Sequence, residues 1–125
     1  MDEPFVSVII PCKSVDKMTK ECINGLKNMD YTNFEIIVLP DNDDALEGAI
    51  VIPTGPVTPG RKRNIGAANA KGTVFAYIDS DAYPARDWIK NGIKHLIKGG
   101  VGLVTGPAVT PPNDGRFSQA QGVVL

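Results

Sequence analysis

The sequence predicts an α/β fold, a mostly parallel sheet flanked by helices on both faces, and three observations carry that reading. Apolar, β-branched runs alternate with segments of helical periodicity through most of the chain. The runs are apolar throughout and do not alternate with polar residues, the pattern of strands covered on both sides. The first two runs are separated by a helix-length segment, as a right-handed crossover between parallel strands requires. Helices on each face then complete the layers.

The elements follow in order. Residues 5–10 (Phe-Val-Ser-Val-Ile-Ile) read as a strand ended by Pro11. Ser14 is placed to cap a helix over about 15–29, where Val15, Met18, Cys22, Leu26 and Met29 recur at spacings of three and four. Residues 34–39 form a second strand, stopped by Pro40 and the acidic turn Asp41-Asn42-Asp43-Asp44, and residues 49–52 form a short third. A Pro/Gly-rich loop over 56–60 opens a helix that runs to about Ala70. Its small residues Gly66, Ala67, Ala68 and Ala70 let its backbone lie close to the sheet, and Gly72 ends it. Residues 73–78 make a fourth strand that runs straight into Asp79-Ser80-Asp81. A helix over about 86–98 is expected to bury Ile89, Ile93, Leu96 and Ile97 and to be capped by Gly99-Gly100, before a fifth strand over 101–104.

The 125 residues suit one domain with one core, spanning 1–125. With 22% charged residues and a net charge of −1, the chain lacks the basic excess of a broad nucleic-acid or anionic-membrane surface. Nucleic acid is therefore not an expected partner, and phosphate recognition must be built from a few placed groups. The longest apolar run falls far short of the roughly 20 residues of a membrane span, and no secretory signal precedes it. Cys12 and Cys22 lack metal-ligand spacing and read as reduced, partly buried thiols of a cytoplasmic protein.

In sheets of this kind ligands sit beyond the carboxyl ends of the strands, where Asp41, Asp79 and Asp81 fall. Asp79 and Asp81 stand two apart at a strand end and project to the same side. At roughly 6–7 Å their charges would repel by about 2.5 kcal/mol at an effective dielectric near 20. A hard divalent cation reverses that cost, and carboxylate with phosphate oxygens suits Mg²⁺ or Mn²⁺. A solvated acidic turn would use the same residues. Arg61, Lys62 and Arg63 follow Gly60 at a helix start, where the helix dipole and the cations could meet a diphosphate. A solvated basic face is the plainer reading of Lys62, as an Asx-type turn is of Asp41.

The ordered series Val6-Ser7-Val8-Ile9-Ile10-Pro11, Phe34-Glu35-Ile36-Ile37-Val38 with Asp41 beyond it, Arg63-Asn64-Ile65-Gly66 and Asp79-Ser80-Asp81 resembles the family-2 glycosyltransferases over about residues 5–105. The resemblance implies a GT-A fold with a Rossmann-like nucleotide-binding half, a nucleoside diphosphate-sugar donor, and Mn²⁺ or Mg²⁺. It places the nucleobase against the backbone of Pro11 and Cys12, with Asp41 accepting a hydrogen bond from it. It gives Arg61 or Arg63 a contact to the nucleotide and has Asn64 order the helix start. Asp79 would touch the ribose or sugar and share the metal, which Asp81 would hold against the diphosphate. Metal and cations would then stabilise the departing nucleoside diphosphate.

The chain departs from the family pattern in places. Pro40 stands where the acidic turn usually has its first acid, and Cys12-Lys13-Ser14 replaces a hydroxyl, an aromatic and Asn, so the base contacts are the least determined. The family supplies its general base from an acceptor-binding half after the D-x-D segment. Only residues 106–125 follow the fifth strand, with Asp114 in a Pro/Gly-rich loop and an apolar stop at Gly122-Val123-Val124-Leu125 with nothing after it. The chain therefore reads as a fragment that binds donor without transferring sugar. Its acceptor would be a glycan, lipid or protein, and the parent would sit at the cytoplasmic face of a membrane. The uncovered end is expected to self-associate or to be disordered. His95, on a helix away from the ligand edge, reads as a surface residue, and Phe75, Tyr77 and Trp88 as packing. A binding-only nucleotide module is the rival from another class. A sugar nucleotidyltransferase would need a Gly-rich basic loop after the first strand, which Pro11-Cys12-Lys13-Ser14 is not.

Overall fold

Strand β1 (Val6–Pro11) is buried along its whole length, because a run of Val and Ile can bury both faces while its backbone pairs on both edges. It pairs in parallel with β2 (Phe34–Leu39) and with β4 (Val74–Tyr77), and β2 pairs in parallel with β3 (Ile50–Val51). The computed structural model describes residues 3–99, 103–104 and 122–124, with side chains described through residue 95. Among these residues the sheet has six strands in the order β3-β2-β1-β4-β6-β5, where β5 is Leu103–Val104 and β6 is Gly122–Val124. Only β6 runs against its neighbours.

The period of two along the strands sorts the core into two layers. Val6, Val8, Ile10, Ile36, Val38, Val74, Ala76 and Ile78 face one side. There helix α1 (Lys17–Lys27) adds Cys22, Ile23 and Leu26, and helix α3 (Trp88–Gly99) adds Trp88, Ile89 and Ile93. Ile9, Ile37 and Leu39 face the other side, under Ile65, Ala67 and Ala70 of the α2 segment, with Phe75 and Tyr77 alongside. Helices therefore cover both faces of a mostly parallel sheet, as the sequence predicts.

Helix α2 (Pro59–Asn69) has no apolar stripe, and its buried residues are Lys62 and Gly66. Gly66 explains how it packs: a Cβ there would lie 2.6 Å from Cγ2 of Ile9 and 3.1 Å from Cδ1 of Leu39. The missing side chain lets the helix axis close down on β1, and the same contact sets how far the α2 side chains reach across the sheet.

Several boundaries differ from the sequence reading. The cap of α1 is Asp16, not Ser14: its carboxylate accepts from Thr19 N at 2.9 Å while its own N–H donates to Thr19 Oγ1. Val15 N–H donates to Asp44, which holds residue 15 in the loop. Helix α3 starts at Trp88, not near Arg86. Arg86 instead pairs with Asp30 at 2.8 Å, and its carbonyl accepts from Asp30 N–H. Gly99 lies within α3 and does not cap it. Residues 122–124 are not an uncovered stop but strand β6, hydrogen-bonded between β4 and β5. Antiparallel pairing across such a separation leaves no local periodicity to read. The side chains of Leu96 and Ile97, and Gly100, Val101, Asp114 and Leu125, lie outside the described residues.

Candidate functional site

Three loops meet beyond the carboxyl ends of β1, β2 and β3. Asp41 N–H donates to the Lys13 carbonyl at 2.9 Å, and Gly55 N–H donates to the Asp41 carbonyl at 2.8 Å. These bonds knit the loop after β1 to the loop after β2 and to the entry of α2. Between them lies a pocket of about 250 Å³ lined by Cys12, Lys13, Asp41, Pro56, Val57, Pro59 and Lys62. Its walls combine the apolar side chains of Pro56, Val57 and Pro59 with one carboxylate and two lysines, a mixture of apolar surface and few polar groups typical of small-ligand sites.

Helix α2 begins at this edge. Thr58 caps it by accepting from Arg61 N–H at 3.2 Å, and Pro59 follows in the first turn. The first turn holds no acid. Cations there oppose the helix dipole, and two of the three are offset by acids. Each cation has a different fate. Arg61 is exposed. Lys62 is not a solvated residue as its sequence context suggests: it is 3% exposed, with Nζ 2.6 Å from the Cys12 carbonyl, 3.2 Å from the Leu39 carbonyl and 2.5 Å from Asp41 Oδ1. Arg63 turns the other way and donates to Asp79 Oδ1 at 3.1 Å. Asn64 stands exposed one turn on, and Thr58 orders the helix start.

Consecutive residues of α2 thus reach acids on opposite sides of β1, Asp41 after β2 and Asp79 after β4. The helix carries one cation to the pocket side and one to the side of Asp79 and Asp81. Both of these acids are half-buried at the end of β4, where Asp79 also accepts from Ala82 N–H through its carbonyl at 3.0 Å. Among the described residues no group of three or more His, Cys, Asp or Glu side chains could hold a metal ion. A cation here would take hard carboxylate oxygens from Asp79 and Asp81 and fill its remaining positions from a ligand, a donor set that fits Mg²⁺ or Mn²⁺ bound with a diphosphate.

The thiols are not part of that set. Burial pushes the Cys12 thiol up to about 11, against the opposing pull of Lys62. Burial, with the charges of Asp81 and Asp79, pushes Cys22 up to about 12. Both are free and buried, as expected from their sequence context. Cys22 Sγ sits under the end of β4, 3.8 Å from the Asp79 carbonyl. His95 is exposed on α3, while Trp88, Phe75 and Tyr77 belong to the packing layers.

Sequence reasoning brought Pro11, Cys12, Asp41, Arg61, Arg63, Asn64, Asp79 and Asp81 to one sheet edge, and the structure keeps them there. It missed Lys62 as a site residue, and Pro56, Val57 and Pro59 as pocket walls. No signal in the sequence sets Lys62 apart from Arg61 and Arg63.

The sequence matches the family "Glycosyl transferase family 2" over residues 7–122. Among curated proteins it is 28% identical to glycosyltransferase AglE of Haloferax volcanii over 134 aligned positions, covering 93% of this chain and 43% of AglE. It is also 28% identical over 100 positions to the poly(ribitol-phosphate) beta-N-acetylglucosaminyltransferase TarS of Staphylococcus aureus, covering 68% of this chain and 18% of TarS. Among solved structures, the mannosyltransferase PcManGT of Pyrobaculum calidifontis, in complex with GDP-Man and Mn²⁺, superposes with a TM-score of 0.77 at 20% identity. That likeness covers 98% of this chain and 45% of the other. S. aureus TarS in complex with UDP-GlcNAc superposes with a TM-score of 0.66 at 22% identity, over 80% of this chain and 33% of that one. The chain therefore spans less than half the length of each of these relatives.

Proposed function

Since this chain belongs to glycosyl transferase family 2 and has the GT-A fold, we propose that it binds the nucleoside diphosphate-sugar donor of a glycosyltransferase. In this reading the base enters the pocket beside Cys12 and Pro11, and Asp41 accepts a hydrogen bond from it. The diphosphate crosses the start of α2, where Arg61 and the helix dipole meet its charge. Asp79 and Arg63 flank the ribose or sugar, and Asp81, with Asp79, would hold Mn²⁺ or Mg²⁺ against the diphosphate. When bound, such an ion supplies charge neutralisation for the leaving nucleoside diphosphate. The chain's own part is to orient the donor and to place cations where charge develops. The acceptor would be a glycan, lipid or protein bound by residues outside this site.

One observation carries the reading: Lys62 and Arg63, adjacent on α2, reach acids on either side of β1 at the edge of an apolar-walled pocket. Neighbours that hold GDP-Man with Mn²⁺ and UDP-GlcNAc support it.

The test is a set of calorimetric titrations of UDP and GDP, with Mn²⁺ and with chelator, on wild type, Asp41→Ala and Asp81→Ala. Asp41→Ala removes a hydrogen bond to a neutral base, on the order of 1 kcal/mol, and also takes the carboxylate from the buried Lys62 ammonium, so binding should weaken by at least that much and by a similar factor in both conditions. Asp81→Ala should leave metal-free binding nearly unchanged and abolish the gain from Mn²⁺. Equal wild-type affinity with Mn²⁺ and with chelator would sink the metal assignment. Variants that alter no affinity would place the site elsewhere.

A further inference from the structure

Lys62 is the buried charge that the donor-binding reading leaves without a task. Its ammonium has three hydrogens, and three acceptors meet them: the carbonyls of Cys12 and Leu39 and Oδ1 of Asp41. With its donors fully used, it has none to offer a ligand, although its side chain lines the pocket. Burying an ammonium is costly, and an apolar residue of similar length would serve packing as well or better. The three partners are not scattered through the core. Cys12 follows β1, Leu39 ends β2, and Asp41 is the carboxylate of the pocket wall.

We propose that Lys62 is a positioning residue of the nucleotide pocket. It holds one oxygen of Asp41 in place and clamps the ends of β1 and β2, so the base-accepting carboxylate is ordered before ligand arrives. The inference rests on the donor-binding reading above. Without Lys62, the Cys12 carbonyl loses that donor, the Leu39 carbonyl keeps only the Cys12 N–H, and Asp41 loses the partner that fixes one of its oxygens. That carboxylate is then free to swing toward solvent, which removes the acceptor from the base. The effect is confined to ligands that carry a base. In the donor-binding reading the diphosphate lies against Arg61 and the acids after β4, which the Lys62 ammonium does not touch.

The experiment compares UDP and GDP with inorganic pyrophosphate plus Mn²⁺, by calorimetry, on wild type and Lys62→Met. The expected result is about a ten-fold loss of affinity for the nucleotide that wild type prefers, with pyrophosphate affinity unchanged. A purely structural role would weaken both ligands alike. Nucleotide affinity equal to wild type, or parallel loss of both ligands, overturns the proposal while leaving the donor-binding reading standing. Wild type that binds neither UDP nor GDP removes that reading and this proposal with it. If Lys62→Met does not fold, the wild-type ammonium decides the matter by NMR. Its Nζ–H signals should exchange slowly and shift on saturation with nucleotide but not with pyrophosphate and Mn²⁺. Signals that ignore the nucleotide overturn the proposal.

Discussion

Gly66→Ala tests how the packing of one helix controls the site. The added Cβ would lie 2.6 Å from Ile9 Cγ2 and 3.1 Å from Leu39 Cδ1. Ordinary carbon contacts are about 3.5–4.0 Å, so α2 must lift by about 1 Å or Ile9 must leave its place. Ile9 is wholly buried on the face of the sheet that α2 covers, which makes its retreat expensive. Overpacking of this kind costs about 1–3 kcal/mol. Ala in place of Gly returns about 1 kcal/mol of helix propensity. The net expectation is a destabilisation of about 0–2 kcal/mol, read as a lower urea midpoint and a fall in Tm of about 4 °C per kcal/mol. Lifting α2 also lengthens the Lys62 bonds, now 2.5–3.2 Å, and the Arg63–Asp79 pair at 3.1 Å. Nucleotide affinity should therefore fall several-fold along with stability. Ile9→Ala should cost less in the Gly66→Ala background than in wild type, because the new methyl fills the space it opens. A Gly66→Ala protein as stable as wild type or more so, with unchanged affinity, would show that α2 is not seated through Gly66.

Gly72→Ala should be costlier than Gly66→Ala. Its Cβ would meet the Phe5 carbonyl oxygen at 2.6 Å and Ser7 N at 2.7 Å, backbone atoms of the central strand that cannot rotate away. A loss of about 3 kcal/mol in urea unfolding is expected, and a change within about 0.5 kcal/mol of wild type would refute the packing there. The cysteines give a pH prediction. Folding raises their pKa values from 9.0 to about 11 at Cys12 and about 12 at Cys22, so the unfolded chain loses these protons first as pH rises. Their contribution to stability is complete below pH 9.0 and drains away as pH climbs toward 11–12. Native protein should react with iodoacetamide far more slowly near neutrality than urea-unfolded protein does, and prompt labelling of native Cys12 would contradict its burial.

Much of this protein was determined locally along the chain. The Val/Ile runs at residues 6–10 and 34–39 had to be covered on both faces, which made the sheet parallel and put its acids at one edge. Pro11 and Pro40 bounded those strands and Gly72 marked the start of the fourth, so Asp41, Asp79 and Asp81 could be placed with no knowledge of contacts. Short-range competition was harder to read: Asp16 and Ser14 are both good caps, and only the Asp44 bond to Val15 N–H settles which one starts α1. What depends on separation in sequence was decided by the tertiary structure alone. Strand β6 pairs with β4 across more than forty residues, and no local period announces it. Lys62 finds its partners 50, 23 and 21 residues away. In sequence it is one basic residue among three at a helix start, with nothing to separate it from Arg61 or Arg63. A buried ammonium is tolerable only where its acceptors converge, and that convergence exists only once α2 closes onto β1 through Gly66.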